Sequence, residues 1–128
     1  MQGEQRPESS YQPFYLKTKI EEMMQYGRPL TKGFSRRDRD IADDLRLTMK
    51  RMYRLAVELE KKYYRKTTAQ ELDVELEWLR HLVRMAQSRD YSGPKYATPL
   101  TVHQYETWSR YIAEIGNLVG GYIKSLNR

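Results

Sequence analysis

The chain has 128 residues, a length that suits one domain able to bury about two thirds of its unfolded surface. It contains no cysteine, which excludes disulfide frameworks, thiolate metal sites and thiol nucleophiles. The formal net charge of +6 favours polyanionic partners and decides nothing about the fold. The sequence shows no signal peptide and no apolar run of about 18 residues, so we expect a cytoplasmic protein without a membrane span.

The first predicted helix follows a polar segment. Residues 1–12 lack hydrophobic periodicity, which predicts a disordered tail ahead of a single domain over residues 13–128. The helix runs from Pro13, a residue suited to a first turn, to Tyr26. Its apolar positions are Leu16, Ile20 and Met23. Gly27, followed by Arg28 and Pro29, predicts the end of this helix.

The second predicted helix begins after Ser35, a residue type that commonly caps helices, and runs to about Tyr64. Its apolar residues alternate steps of four and three, which places them along one face. This seam consists of Ile41, Leu45, Thr48, Met52, Leu55 and Leu59.

The third predicted helix spans about 69 to 88, and Thr68 with Glu71 matches a capping box at its start. Its seam is Leu72, Leu76, Leu79, Val83 and Ala86, with a second apolar stripe of Val74, Trp78, Leu82 and Met85. Such a wide apolar arc predicts a central helix or one that meets another subunit. The segment 89–100, rich in proline and glycine, ends it as a loop.

The fourth predicted helix opens with a capping box of Thr101 and Gln104. Its seam is Tyr105, Trp108, Ile112, Ile115, Val119, Tyr122 and Leu126. A stripe of small residues, Ser109, Ala113, Gly116 and Gly120, predicts close approach by a neighbouring helix, since helical glycines cost roughly 1 kcal/mol each. Four helices with short connections and no alternating strand pattern predict an all-α, antiparallel up-down four-helix bundle.

Positive charge is concentrated in residues 35–66, where eleven Lys/Arg stand against six Asp/Glu for a net of +5. Opposite the seam of the second helix lie Arg36, Arg39, Arg46, Lys50, Arg54 and Lys61. Because no acid lies between Asp44 and Glu58, we predict that Arg46, Lys50, Arg51 and Arg54 are not neutralised locally. Such cations are what phosphate contact requires, and a merely solvated helix face is the alternative.

A second candidate site is the pair Arg80 and Arg84, one turn apart on the third helix. The surrounding segment, residues 67–90, holds three Lys/Arg against five Asp/Glu for a net of −2. Glu77 is placed to form an ordinary intrahelical ion pair with either arginine. Both a binding role and a structural role remain open for this pair.

A metal or acid–base site has weak support. His81 and His103 lie on different helices, and Glu77 with His81 does not match the Glu-x-x-His spacing of di-iron bundles. Asp73, Glu75 and Glu77 alternate around their helix, whereas a metal-dependent nuclease needs converging acids. We therefore predict no catalytic residue, no metal and no cofactor, and keep a small metal enzyme as an alternative that metal analysis would test.

Three stretches carry a resemblance to a known family. They are TPLTVHQYET at residues 98–107, IAEIGNLVGGYIK at residues 112–124 and LRHLVRMA at residues 79–86. Together they resemble the accessory variability determinant (Avd) of diversity-generating retroelements, and the resemblance covers roughly residues 14–128. The first two stretches, at the C-terminal helix, are moderately specific.

The resemblance implies a four-helix bundle that assembles into a ring-shaped pentameric homo-oligomer with a basic surface. It also implies a bacterial or phage-encoded protein that does no chemistry itself. Its partners would be the element's reverse transcriptase and template RNA or cDNA, in support of mutagenic retrohoming. A related bundle family from intervening sequences of ribosomal RNA genes shares this fold, and it provides the alternative of a structural oligomer without a polymerase partner.

On this basis we predict which residues contact nucleic acid or polymerase, without assigning RNA or DNA and without assigning the face that meets the polymerase. They are Arg80 and Arg84 together with Arg36, Arg39, Arg46, Lys50, Arg51, Arg54 and Lys61.

Overall fold

The computed structural model describes residues 13–61 and 64–127, and within these ranges it contains helices and no strand. The helices are α1 (Pro13–Lys32), α2 (Arg39–Leu59), α3 (Arg65–Gln87), the short α4 (Arg89–Ser92) and α5 (Val102–Leu126), with a 3-10 turn at Arg36–Asp38. The predicted all-α class is confirmed. The predicted disordered tail, residues 1–12, lies outside the described residues.

The four long helices contact one another in a cyclic order: α1 packs on α2, α2 on α3, α3 on α5, and α5 on α1. None of the helices in the described part of the chain is both long and apolar enough to cross a bilayer. The up-down bundle topology and the ring-shaped assembly remain predictions.

The core forms where the predicted seams meet. All five seam residues of α3 are buried, and so are Trp108, Ile112, Ile115, Val119 and Tyr122 of α5. The α2 seam is buried except for Leu55, which is half-buried against the core. Full burial of a large apolar side chain contributes about 1.5–3 kcal/mol, so these seams are the main source of stability. On the second stripe of α3, Leu82 is buried, whereas Val74 and Trp78 are exposed.

The predicted end of α1 at Tyr26 is wrong, because the helix continues to Lys32. Gly27 does not terminate it but lies inside it, where a Cβ would be only 2.5 Å from Cζ2 of Trp108. Pro29 is also inside the helix, although it has no N–H to donate. The last turn is kept in place by tertiary packing, since Thr31 is fully buried.

The bounds of α2 also differ from the prediction. Ser35 has the extended backbone of a capping residue, but its hydroxyl donates to Oδ2 of Asp38 at 3.1 Å and caps no backbone N–H. The three residues after Ser35 form a 3-10 turn, and α2 begins after that turn. The helix ends at Leu59 instead of about Tyr64, and residues 62 and 63 lie outside the described ranges.

The predicted capping box of Thr68 and Glu71 is wrong, because α3 already begins at Arg65. Thr68 is buried in the first turns of the helix, and its hydroxyl donates to the carbonyl oxygen of Tyr64 at 3.0 Å. This is the back-bonding typical of threonine within a helix. The segment predicted as a loop after α3 contains the short α4.

The start of α5 agrees with the prediction. The Thr101 hydroxyl accepts from the Gln104 backbone N–H at 3.1 Å, and the Gln104 side chain accepts from the Thr101 N–H at 3.0 Å. The small-residue stripe is only partly approached by a neighbour. A Cβ on Gly116 would lie 3.5 Å from Leu76 of α3, but one on Gly120 would have nothing within 4 Å. The predicted close approach is therefore wrong at Gly120.

Candidate nucleic-acid interface

Three of the four α2 cations predicted to lack local neutralisation have carboxylate partners. Arg46 pairs with Asp43 one turn before it. Nε of Arg54 lies 3.1 Å from Glu58 one turn after it. Nη1 of Arg51 lies 4.0 Å from Oε1 of Glu75, which belongs to α3. The prediction is therefore wrong for Arg46 and Arg54, whose partners lie one turn away on α2, whereas the partner of Arg51 comes from α3.

Within the described part of the chain, the remaining predicted cations on α2 and next to its ends have no carboxylate partner. Lys50, Arg36, Arg39 and Lys61 are exposed and, among the described residues, have no carboxylate within 4.0 Å. Exposed ion pairs contribute only about 0–1 kcal/mol, so phosphate groups can also compete for the paired arginines. The segment therefore keeps a positive surface.

Arg80 and Arg84 lie in a small polar cluster on α3. Glu77 pairs with Arg80 through one carboxylate oxygen, and its other oxygen lies 3.2 Å from Nε2 of His81. Nη2 of Arg84 lies 3.4 Å from Nδ1 of His81. Because a guanidinium only donates, this contact requires Nδ1 to accept, which places the proton of a neutral ring on Nε2, facing Glu77. Arg80 is thus paired with an acid, whereas the polar contact of Arg84 among the described residues is with the imidazole.

A groove between α1 and α2 brings together cations that the sequence analysis did not connect. It consists of two adjoining cavities of about 450 and 380 Å³, which share Met24 and Arg28. We call it the α1–α2 groove. Its cations are Arg28 and Lys32 on α1 and Arg46 and Lys50 on α2, and its lining includes the acid Glu21.

Sequence reasoning missed Arg28 and Lys32 because the first helix was predicted to end at Tyr26. Once α1 is continuous to Lys32, these two residues are four apart and lie on the same side of the helix. The same spacing separates Arg46 and Lys50 on α2. A cation pair repeated on two neighbouring helices was the available signal.

Arg46 is the most firmly held cation of this groove. Its Nη1 donates across the helix contact to the Thr31 hydroxyl of α1 at 3.2 Å, while Nη2 pairs with Asp43. The Thr31 hydroxyl in turn donates to the carbonyl oxygen of Arg28 at 2.7 Å. Lys32 and Lys50 are exposed and have no carboxylate partner within the described ranges.

The chemistry available to these surfaces is anion contact. Within residues 13–61 and 64–127, no group of three or more His, Asp or Glu side chains is placed to hold a metal ion. Arginine and lysine side chains instead offer charge-assisted hydrogen bonds to phosphate or carboxylate oxygens. Fold and surface together define an all-α protein with cationic surfaces.

A comparison with known protein families identifies the family within this class of protein. The chain matches the bAvd-like family over residues 14–126 and belongs to that family. The resemblance found in the sequence is thereby confirmed, and the family is an accessory, non-catalytic kind of protein. No curated protein matches the chain.

Proposed function

We propose that this protein is a non-enzymatic accessory protein of a diversity-generating retroelement. It binds the element's reverse transcriptase together with template RNA or cDNA, and so supports mutagenic retrohoming. The family match over residues 14–126 is the observation that carries this proposal. It acts by holding its partners together in the bacterial cytoplasm, and its gene is bacterial or carried by a phage.

Exposed cations support the nucleic-acid part of the proposal. Four of the predicted contact residues, on α2 or next to its ends, are exposed without a carboxylate partner in the described ranges, and the polar contact of Arg84 on α3 is with His81. Each phosphate neutralised by such a cation releases counterions, which lowers the logarithm of the binding constant by about 0.7–0.9 per decade of salt. Binding to RNA or DNA should therefore weaken steeply as salt is added.

The assembly part of the proposal is a four-helix bundle that forms a ring-shaped pentamer. Two exposed apolar residues one turn apart on α3 support a contact with another copy: Val74 is 67% exposed and Trp78 is 43% exposed. Sedimentation or light scattering should give five times the 15.4 kDa of one chain. A species of 15.4 kDa in solution would contradict the assembly.

Reversal of the α3 arginines tests the function. The double variant Arg80→Glu/Arg84→Glu is compared with Arg110→Glu/Lys124→Glu, which changes the net charge equally at two exposed positions of α5. We expect the α3 variant to lose at least tenfold in affinity for the reverse transcriptase or the template RNA, because reversed charges repel phosphate or acidic protein surface. The α5 variant should lose much less.

Circular dichroism of both variants verifies that they still fold. Unchanged affinity of the α3 variant for both partners would rule out Arg80 and Arg84 as contacts. An intact oligomer that binds neither nucleic acid nor polymerase would instead favour the structural role of the ribosomal-intervening-sequence relatives.

A further inference from the structure

We propose that the α1–α2 groove holds single-stranded nucleic acid, with phosphates on its cations and bases against its apolar floor. The inference rests on the proposed function and deepens it. It assigns the strand to a surface that includes Arg28 and Lys32, two residues outside the predicted contact set, and that is separate from the Arg80 and Arg84 cluster on α3.

The charge of the groove fits a polyphosphate chain. α1 contributes Arg28 and Lys32, α2 contributes Arg46 and Lys50, and each pair is spaced by about one helical turn. Among the lining residues Glu21 is the acid. Four cations stand against Glu21 in the lining and against Asp43, which pairs with Arg46, for a net of +2, so an anionic chain lying along the groove meets positive charge from both helices.

The floor of the groove fits bases. Met49 is buried, and Met24 and Tyr53 are half-buried, so part of each of the latter two side chains faces the groove. A single strand has unstacked bases whose apolar faces can lie on an aromatic ring or on a methionine side chain. A duplex hides these faces in its own stack and would leave the floor unused. The combination therefore favours a single strand over a duplex.

The groove is held in shape before any ligand arrives. Arg46 is fixed by Thr31 and Asp43, so its guanidinium keeps its position relative to α1. Farther along, Nζ of Lys17 on α1 lies 3.0 Å from Oε1 of Glu60, just after α2, which links the two helices again. A preformed site loses less conformational entropy when it binds. An acidic protein segment bound in this groove would also pair with its cations. It would gain less binding energy than a single strand from contact with the apolar floor.

The test reverses the two lysines of the groove. Lys32→Glu/Lys50→Glu is compared with Arg110→Glu/Lys124→Glu, which carries the same change of net charge. The probes are fluorescein-labelled single-stranded RNA and a duplex of the same sequence, followed by fluorescence anisotropy. We expect the groove variant to weaken single-strand binding at least tenfold and to lower the salt slope by about 0.7 for each phosphate that is no longer neutralised. Duplex binding should weaken much less, and the control should change little.

A second variant, Tyr53→Leu, separates stacking from charge. It removes the aromatic ring while keeping an apolar side chain at the groove. Single-strand affinity should fall about fivefold with an unchanged salt slope, because stacking on an aromatic ring is worth at least that factor per base and releases no counterions.

Several results would overturn the inference. Wild-type affinity in the groove variant would do so, and so would equal losses in the groove variant and the α5 control, which would indicate net charge alone. Loss of the oligomer in the groove variant would show that the groove is an interface between copies. Loss of polymerase binding with RNA binding intact would assign it to the protein partner.

These failures are distinguishable from failure of the proposed function. If Arg80→Glu/Arg84→Glu abolishes binding while the groove variant does not, the function stands and the groove assignment is wrong. If the wild-type protein binds neither nucleic acid nor polymerase, both are wrong.

Discussion

α5 packs against α1 and α3 through two different kinds of contact. Against α1, Gly27 lies directly on the ring of Trp108, which is fully buried and also meets Tyr26 edge-on with ring centroids 6.3 Å apart. Against α3, Gly116 has Leu76 and Arg80 at ordinary van der Waals distances, 3.5 and 3.7 Å from where its Cβ would be. Of these glycines, Gly27 is thus packed most tightly, against one large aromatic ring, whereas Gly116 in the small-residue stripe makes ordinary contacts.

The largest expected effect is at the α1 contact. Gly27→Ala would place a Cβ 2.5 Å from Cζ2 and 2.8 Å from Cη2 of a tryptophan ring that is fully buried. Overpacking of this kind costs typically 1–3 kcal/mol, which outweighs the roughly 1 kcal/mol that alanine gains over glycine in a helix. After this gain is subtracted, we expect the free energy of unfolding, measured by urea denaturation, to fall by up to about 2 kcal/mol.

A double-mutant cycle attributes this loss to the ring. In a Trp108→Leu background, which is itself destabilised by the smaller side chain, Gly27→Ala should cost much less or be favourable. Equal cost in both backgrounds would show that the strain at Gly27 comes from elsewhere.

Substitution of the α5 glycines by alanine is expected to raise the free energy of unfolding instead of lowering it. Gly120→Ala adds a methyl group with nothing within 4 Å, so it should raise the free energy of unfolding by up to about 1 kcal/mol through helix propensity. Gly116→Ala should gain less, because Leu76 and Arg80 already lie in contact distance. Thermal unfolding of the two variants beside the wild type measures the difference. A destabilised Gly120→Ala would indicate that another molecule covers this position.

The smallest effect is expected at the exposed edge of the α1–α5 contact. Nζ of Lys19 lies 3.1 Å from Glu22 and 3.7 Å from Oε1 of Glu114 on α5. Glu114→Gln should lower the free energy of unfolding by less than about 1 kcal/mol, the usual range of surface pairs. A larger loss would mean that charge, and not the Trp108 contact, holds α1 to α5.

The pH dependence of this pair has a definite sign. The hydrogen bond to Glu22, with the Glu114 charge assisting, raises the pKa of Lys19 above its ordinary value of 10.5. A raised lysine pKa contributes stability that is present below that value and is lost as the pH rises through the folded-state pKa. The difference between Glu114→Gln and wild type should therefore persist at neutral pH and disappear in strongly alkaline solution.

Local signals in the sequence predicted some features of the fold well. Hydrophobic periodicity identified the buried faces of α2, α3 and α5, since burial follows the period of the helix. The capping box of Thr101 and Gln104 was predictable because both partners lie within one turn. The end of α1 was not, because Gly27 and Pro29 carry the same local signal as a helix stop. Their place inside the helix depends on Trp108, which is distant in sequence.

The candidate site likewise has some features that local sequence signals predict and others that depend on contacts between helices. Exposure of Arg39, Lys50 and Arg54 could be read from their position opposite the seam, whereas Arg46, on the same face, is half-buried. The pairs of Arg46 with Asp43 and of Arg54 with Glu58 were also readable, because each joins residues one turn apart on α2. The pair of Arg51 with Glu75 was not, since Glu75 lies on another helix.

The α1–α2 groove was missed because the first helix was predicted to end at Tyr26, although cation pairs with a spacing of four residues are present in the sequence. Its two α1 cations, Arg28 and Lys32, join the site only when α1 extends past Pro29.

The contrast between the two tryptophans gives the unlabelled protein a pair of intrinsic fluorophores. Trp108 is fully buried, so its emission responds when α1 separates from α5. Trp78 is 43% exposed on the outer surface of α3, within reach of aqueous quenchers until another molecule covers it. Emission from the native chain can therefore distinguish loosening of the interior from association at the surface.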